Sequence, residues 1–416
     1  MKKTSSSLGQ ALAILGSALL CATTASATSN EKVIHSFASA AGANPFSSLV
    51  FDSAGNLYGT TQVGGGGGCE GHTGCGTVFQ LTPATGGGWT YHMLHAFELG
   101  NGDGIFPSFS SGLVLDAAGN LYGTTWQGGA IGDGCVFEVS PHSDGSWSES
   151  VIYSFAGSPD GNGPQAGLVF DAAGNLYGTT IAGGANGSGA VFQLTPTTGV
   201  GWSESVIHSF AGSDGGTPYA PLVVDAAGNL YGTATYGGSH QNGVVFELSP
   251  ASGGSWTDTV LYNFTGKQDG GDPQAGLLLD SAGNLYGTNN AFHADGVYGA
   301  VFKLAPNSDG TWTETSLHTF SHAGDGSNPR SGLVWDAAGN LYGTTYVGGA
   351  KGAGTVYKLS PNSSGGWIER ILYSFTGSKD GDGVLGGVIL DSAGHLYGTT
   401  AEGGSAGYGV VFEMQR

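Results

Sequence analysis

Along this chain apolar and polar residues alternate in short runs, and each run is broken by glycine, proline or a polar link. Residues 166–210 hold one full set. AGLVFD (166–171), NLYGTT (175–180), AVFQLT (190–195) and WSESVIHSF (202–210) each read as a β-strand. The links between them are short, which predicts an antiparallel four-stranded meander. No stretch shows a sustained helical period.

The set recurs. Near-copies of the segment that starts at Asp171 start at Asp52, Asp116, Asp225, Asp280, Asp336 and Asp391, spaced 54 to 64 residues apart. Seven such units predict a repeat architecture, because one small meander cannot bury its own apolar faces and must stack on its neighbours. Seven four-stranded sheets around a central channel make an all-β, seven-bladed β-propeller over residues 28–416. The chain ends point to how it closes. Residues 31–37 (EKVIHSF) match a fourth strand but precede the first unit, and the chain ends on a third strand at 410–414. The N-terminal strand is therefore expected to complete the seventh sheet and hide two edges.

Within a unit, the turn after the first strand explains Asp171 and Gly174. The carboxylate accepts backbone N–H groups ahead of it, and glycine supplies a positive φ. Gly178, in mid-strand in all seven units, implies that something presses close; an aromatic ring of a neighbouring sheet is expected there. Tyr58, Tyr122, Tyr177, Tyr231, Tyr286, Tyr342 and Tyr397 form a complete set, as do Phe37, Phe97, Phe155, Phe210, Phe264, Phe320 and Phe375. Both sets read as filling between sheets. His35, His95, His208 and His318 share a fourth-strand position with Tyr153, Tyr262 and Tyr373, a pattern that reads as an amphipathic packing site.

Composition narrows the class. Glycine is 80 of 416 residues, but apolar residues at 39% in register argue against disorder. A net charge of −20 argues against nucleic acid or an anionic membrane surface as partner. Residues 1–27 read as a secretory signal peptide: Lys2 and Lys3, an apolar core, then Ala25-Ser26-Ala27. No other stretch is apolar for long enough to insert in a membrane. The expected product is a secreted, extracellular or periplasmic monomer. In an oxidising compartment Cys69 and Cys75 are expected to form a local disulfide, with a metal pair as the alternative, and Cys135 to be a small buried side chain.

The repeated GLV-x-D-x-AGNLYGTT-x-x-GG, followed by G-x-VF-x-L-x-P, resembles the GloVer tandem repeat of secreted bacterial proteins over residues 31–416. Its D-x-x-G-N-x-Y core is similar to the NHL and SMP-30 type of propeller repeat. The GloVer resemblance implies surface or secreted proteins, often with C-terminal anchors, and no particular activity. The sequence ends at Arg416, directly after a strand, so free secretion is expected rather than anchoring.

Positions that differ between units are the ones free to carry function. The links from fourth to first strand and from second to third strand lie on one face and vary, so a site is expected there. The former are acidic: Asp160, Asn162, Asp269, Asp272, Asp380 and Asp382 are candidate calcium ligands, the alternative being solvated turn residues. Trp126, Tyr236 and Tyr346 follow second strands and suit sugar stacking, the alternative being caps on the sheet edge. His72, His240 and His293 lie in irregular links and are further ligand-binding candidates. No nucleophile elbow or arginine triad is present, and no carboxylate pair can be chosen. The reading is a non-catalytic binding module for polysaccharide or a surface protein. The alternatives are a carbohydrate-active or lactone-acting enzyme at the channel mouth, or a structural adhesion component.

Overall fold

A computed structural model describes residues 30–415, apart from 67, 70–72, 110–111, 200, 293–295 and 322–323. The signal-peptide reading lies outside the described residues. The chain forms a ring of seven blades, each built on four antiparallel strands that run in sequence order from the channel outwards; in the second blade a fifth strand, Gly104–Pro107, adds to the second strand. In the third blade the strands are Val169–Phe170, Leu176–Thr180, Ala190–Pro196 and Trp202–Ser209. The seventh blade takes its outer strand from the other end of the chain. Asn30–Ser36 pairs antiparallel with Val410–Gln415, from Asn30 opposite Gln415 to Ser36 opposite Val410.

The aromatic sets weld the blades together. The phenylalanine that ends each outer strand meets the third-strand aromatic of the next blade edge to face. Phe37 on Phe79, Phe97 on Phe137 and Phe375 on Phe412 all stand at 5.1 Å, and Phe155 meets Phe192 at 4.9 Å. Each such pair is worth about 0.5–1.5 kcal/mol beyond its area burial. At the opposite end of the seam the outer-strand tryptophan packs on the tyrosine of the previous blade, Trp202 on Tyr122 and Trp256 on Tyr177, both at 5.9 Å.

Two sequence expectations need correction. The ring at the mid-strand glycine comes from the same sheet. Gly178 lies directly opposite Phe192, and a Cβ on Gly178 would sit 2.5 Å from Phe192 Cζ and 2.9 Å from Leu168 Cδ2. Phe192 turns inward over its own cross-strand partner to meet Phe155, and only glycine leaves room for it. The first strand is also far shorter than the run 166–171: two residues pair. The segment before them is drawn across to the preceding blade, where Thr124 Oγ1 donates to Ala166 O (2.8 Å). Thr233 does the same to Ala275 O and Thr399 to Ser47 O. The innermost carbonyls thus serve the ring rather than a ladder.

The Asp turns behave as the sequence implies. Asp171 Oδ1 accepts the N–H of Ala173 (2.8 Å) and Asn175 (2.9 Å), Oδ2 accepts Asn175 Nδ2 and Tyr177 OH, and Gly174 has φ 85°. Burial works against the Asp171 charge, but these hydrogen bonds outweigh it and hold the carboxyl below its usual range. Cys69 and Cys75 are disulfide-bonded, with Cα atoms 5.2 Å apart. Cys135 is buried, and burial pushes its thiol up to about 12. Among the described residues no helix is long and apolar enough to cross a membrane.

Candidate functional site

The links into the innermost strands converge on the channel, and one position in each faces its mouth. Five units read Pro-x followed by a short run to leucine, as in Pro164-Gln165-Ala166-Gly167-Leu168. The proline fixes the backbone and the small residues after it let neighbouring links crowd the axis. The residue after the proline is left over the mouth. In these five units it is Phe46, Gln165, Tyr219, Gln274 and Arg330, of which Gln165 is buried and stays out of the cavity wall; Leu385 stands there in the seventh unit, and Phe109 comes from the longer second link. Phe46, Phe109, Tyr219, Gln274, Arg330 and Leu385, with Tyr346, Ala401 and Glu402, line a cavity of about 360 Å³.

Its chemistry is uneven around the rim. Phe46 and Phe109 stack at 5.1 Å on one side. Across from them the Arg330 guanidinium lies over the Tyr346 ring, 5.4 Å from its centroid, and Arg330 Nε is buried without a hydrogen-bond partner. Burial pushes the Tyr219 hydroxyl up, with Tyr236 adding to the shift and Arg330 opposing it. Among the described residues of the cavity wall, Arg330 is the single cation and Glu402 the single carboxylate. Aromatic faces beside a guanidinium whose Nε lacks a hydrogen-bond partner suit a ligand with an apolar ring face and an anionic group.

Among the residues expected to bind ligand, Tyr346 lines this cavity, and Trp126 reaches its rim through Phe109 at 6.3 Å. Both also cover the neighbouring blade, Trp126 over Gly163 and Tyr346 over Gly383, so the capping role is real as well. Tyr236 is half-exposed and lies near the Tyr219 hydroxyl. His240 is exposed in its link, outside the cavity wall. His72 and His293 lie outside the described residues. The fifth unit's irregular Asn289 fills a structural place: its Nδ2 donates to Asp269 O (2.7 Å) and its Oδ1 accepts Ala300 N–H.

The acidic links do not converge on the mouth. Asp160 accepts Tyr153 OH (2.9 Å) and the N–H of Ala156 (2.9 Å). Asp269 takes Tyr262 OH and Thr265 N–H, and Asp380 takes Tyr373 OH and Thr376 N–H. The fourth-strand Tyr thus packs one face on phenylalanine, as at Tyr153 against Phe155, and ties its hydroxyl to the link. Asn162 donates to Asp133 Oδ1 (2.6 Å), Asp382 pairs with Glu402 through backbone, and Asp272 N–H donates to Asn242 O. A calcium ion at Asp160, Asp269 or Asp380 would compete with these donors. Each of these aspartates also faces an outer-strand glutamate of the next blade: Glu204 faces Asp160, Glu314 faces Asp269 and Glu31 faces Asp380. Burial first, then the facing aspartate, pushes each glutamate up to about 7.

The mouth residues Phe46, Phe109, Tyr219, Gln274, Arg330 and Leu385 escape a sequence reading built on link length and irregularity. The signal that finds them is contrast: the slot after the proline changes chemistry from unit to unit between residues that hardly change.

No curated protein matches the chain. Solved structures do, among them that of PorZ, an essential bacterial surface component of the type-IX secretion system of Porphyromonas gingivalis. The match has a TM-score of 0.52 at 18% identity and covers 89% of this chain and 46% of PorZ. The chain therefore spans about half the length of PorZ, and the likeness is one of fold. At the level of sequence, the model of the Gloeobacter/Verrucomicrobia repeat matches residues 67–294 and 254–416, and the chain belongs to that family.

Proposed function

We propose that this propeller is an extracellular binding module that takes an acidic polysaccharide at the channel mouth. The observation that carries the reading is Arg330: a guanidinium stacked on Tyr346, with a buried Nε that lacks a partner, in a cavity walled by Phe46, Phe109 and Tyr219. Aromatic faces stack on the apolar faces of sugar rings, and the guanidinium pairs with a uronate carboxylate or a sulfate. Glycosidic hydrolysis uses two carboxyl groups flanking the bond, whereas the described residues of the cavity wall contribute Glu402 alone, which favours retention over turnover. The −20 charge of the whole chain repels acidic polymers at long range, so recognition would have to come from the mouth itself. A fold relative at a bacterial surface supports an extracellular setting.

The test is a panel of neutral, uronate-bearing and sulfated polysaccharides, with retention and released products recorded together. Retention of an acidic member without products, weakened at least 10-fold by Arg330→Ala, is the expected result. Equal retention by Arg330→Ala, or released products, would overturn the reading.

A further inference from the structure

Three of the seven blade seams bring a tyrosine of one blade, an aspartate of the following link and a glutamate of the next blade together; other seams replace the tyrosine by histidine. That replacement changes the chemistry. A tyrosine hydroxyl only donates to the aspartate, whereas a neutral imidazole offers a lone pair. At the seam of the first and second blades, His95 lies on the outer strand Trp89–Ala96, Asp103 in the link that follows, and Glu149 on the outer strand Trp147–Ser154. Each contributes one donor atom, and the three atoms lie within 4.8 Å of one another. The seam of the third and fourth blades repeats the arrangement with His208 on Trp202–Ser209, Asp214 in the link that follows and Asp258 on Trp256–Asn263. Among the described residues these are the two such clusters.

We propose that these two seams are binding sites for a divalent transition-metal cation of the zinc type, each ion joining two blades. The donor set, one imidazole and two carboxylates, is one that zinc accepts with bonds of about 2.0–2.2 Å and a fourth position left for water. Calcium, which prefers oxygen alone, suits it less well.

Further observations point to a ligand. The Asp103 side chain is 6% exposed, yet its Oδ1 has no hydrogen-bond partner. Glu149 Oε1, facing it, is also buried and unpartnered, as the same oxygens of Glu31, Glu204, Glu314 and Glu369 are at other seams; the unpartnered aspartate oxygen is what sets this seam apart. Two carboxylates placed together with spare lone pairs leave a position for a positive charge, since buried acceptors are otherwise satisfied. At the second seam, His208 Nε2 lies 3.1 Å from Asp214 Oδ2 without hydrogen-bond geometry, and Asp258 Oδ1 is likewise unpartnered. Beside the first seam, Asp103 lines a cavity of about 340 Å³ together with Leu99, Ile105, Gln127 and the glycine-rich links. The other histidine seams differ. His318 stands 3.5 Å from Asp325, and its seam is not one of the two clusters; His35 stacks on Tyr91 at 4.4 Å, where other units carry the acidic residue.

The repeat supplies its own control. His95→Tyr and His208→Tyr install the residue that three sister seams already use, so the fold should hold, as circular dichroism would confirm. The full chain is incubated with zinc chloride, freed of excess by gel filtration and assayed for metal; cobalt(II) uptake is followed by its visible spectrum. Two equivalents in the parent, one in either single variant and none in the double variant are expected, with zinc raising the melting temperature of the parent but not of the double variant. Glu149→Gln with Asp258→Asn, which leaves all histidines in place, should also lower uptake. No uptake by the parent, or uptake unchanged in the folded double variant because other histidines hold the metal, would overturn the assignment.

Discussion

The two ends of the channel follow opposite rules. On the turn face, seven aspartates from Asp52 to Asp391 make the same local hydrogen bonds. Asp52, Asp116, Asp225, Asp280, Asp336 and Asp391 each accept an N–H two and four residues ahead, as Asp171 does. On the link face, the equivalent mouth positions hold phenylalanine, glutamine, tyrosine, arginine and leucine. Both sets sit on the same backbone frame. The difference is what each side chain answers to: a turn residue satisfies its own backbone and cannot vary, while a mouth residue faces a cavity and is free to meet a ligand. Sameness between repeats therefore marks architecture, and divergence inside a constant frame marks the candidate site.

Perturbing the frame should cost most. A chain beginning at Asn44 lacks the strand Asn30–Ser36 and Phe37, so the seventh blade is left with a bare edge at Val410–Gln415 and the ring loses a welding pair. Its melting temperature should fall by more than about 10 °C, since 1 kcal/mol lowers the midpoint of a 150–250-residue domain by about 2–4 °C and several interactions go together. A calorimetric scan that matched the parent would show that the ring does not depend on closure.

Next comes Gly178→Ala. The added Cβ meets Phe192 Cζ at 2.5 Å in a blade with no slack, and overpacking of this kind costs about 1–3 kcal/mol. Urea denaturation should show it, and Phe192→Leu in the same chain should recover part of the loss. A Gly178→Ala variant as stable as the parent would mean that the ring is free to move aside.

The seams should tune stability with pH. Glu31, Glu204 and Glu314 have folded values near 7, from burial and then the facing aspartate; Glu369, facing Asp325, is pushed up in the same way. In the unfolded chain they ionise at the ordinary 4.5, so from about 4.5 to 7 the folded state holds more protons. Their contribution is whole below about 4.5 and lost as pH rises through about 7. The turn carboxylates such as Asp171, held low, act oppositely: their contribution is present above the ordinary 3.8 and lost as pH falls through their folded values. Melting temperature should accordingly peak near about pH 5 and decline towards about pH 8 in metal-free buffer. A rising profile over that interval would contradict the buried seam carboxyls.

Smallest in stability is the mouth. Arg330→Ala gives up a cation–π contact worth about 0.5–1 kcal/mol and removes a buried donor that has no partner, so the net change should stay within about 1 kcal/mol. Chemical denaturation checks this. A much larger loss would place Arg330 with the frame rather than with the site.

The amino-acid sequence by itself determined the blades, their number, the ring closure, the Asp turns and the disulfide, because each is written in local chemistry or in a period of about 55 residues repeated seven times. It also singled out Tyr346, which lines the mouth cavity, and Trp126, which touches Phe109 at its rim. What only the tertiary structure decided is which side chains meet in space, within a blade as well as between blades. Phe192 lies over the glycine of its own sheet, Thr124 draws the next blade's backbone out of its ladder, and Arg330 is brought over Tyr346 from a link 16 residues away. His95 and Glu149, more than 50 residues apart, meet at one seam. Turn and strand chemistry acts within a few residues and is legible there. Contacts between side chains distant along the chain depend on how strands and links pack, and those across blades also on the curvature of the ring, which no single unit encodes.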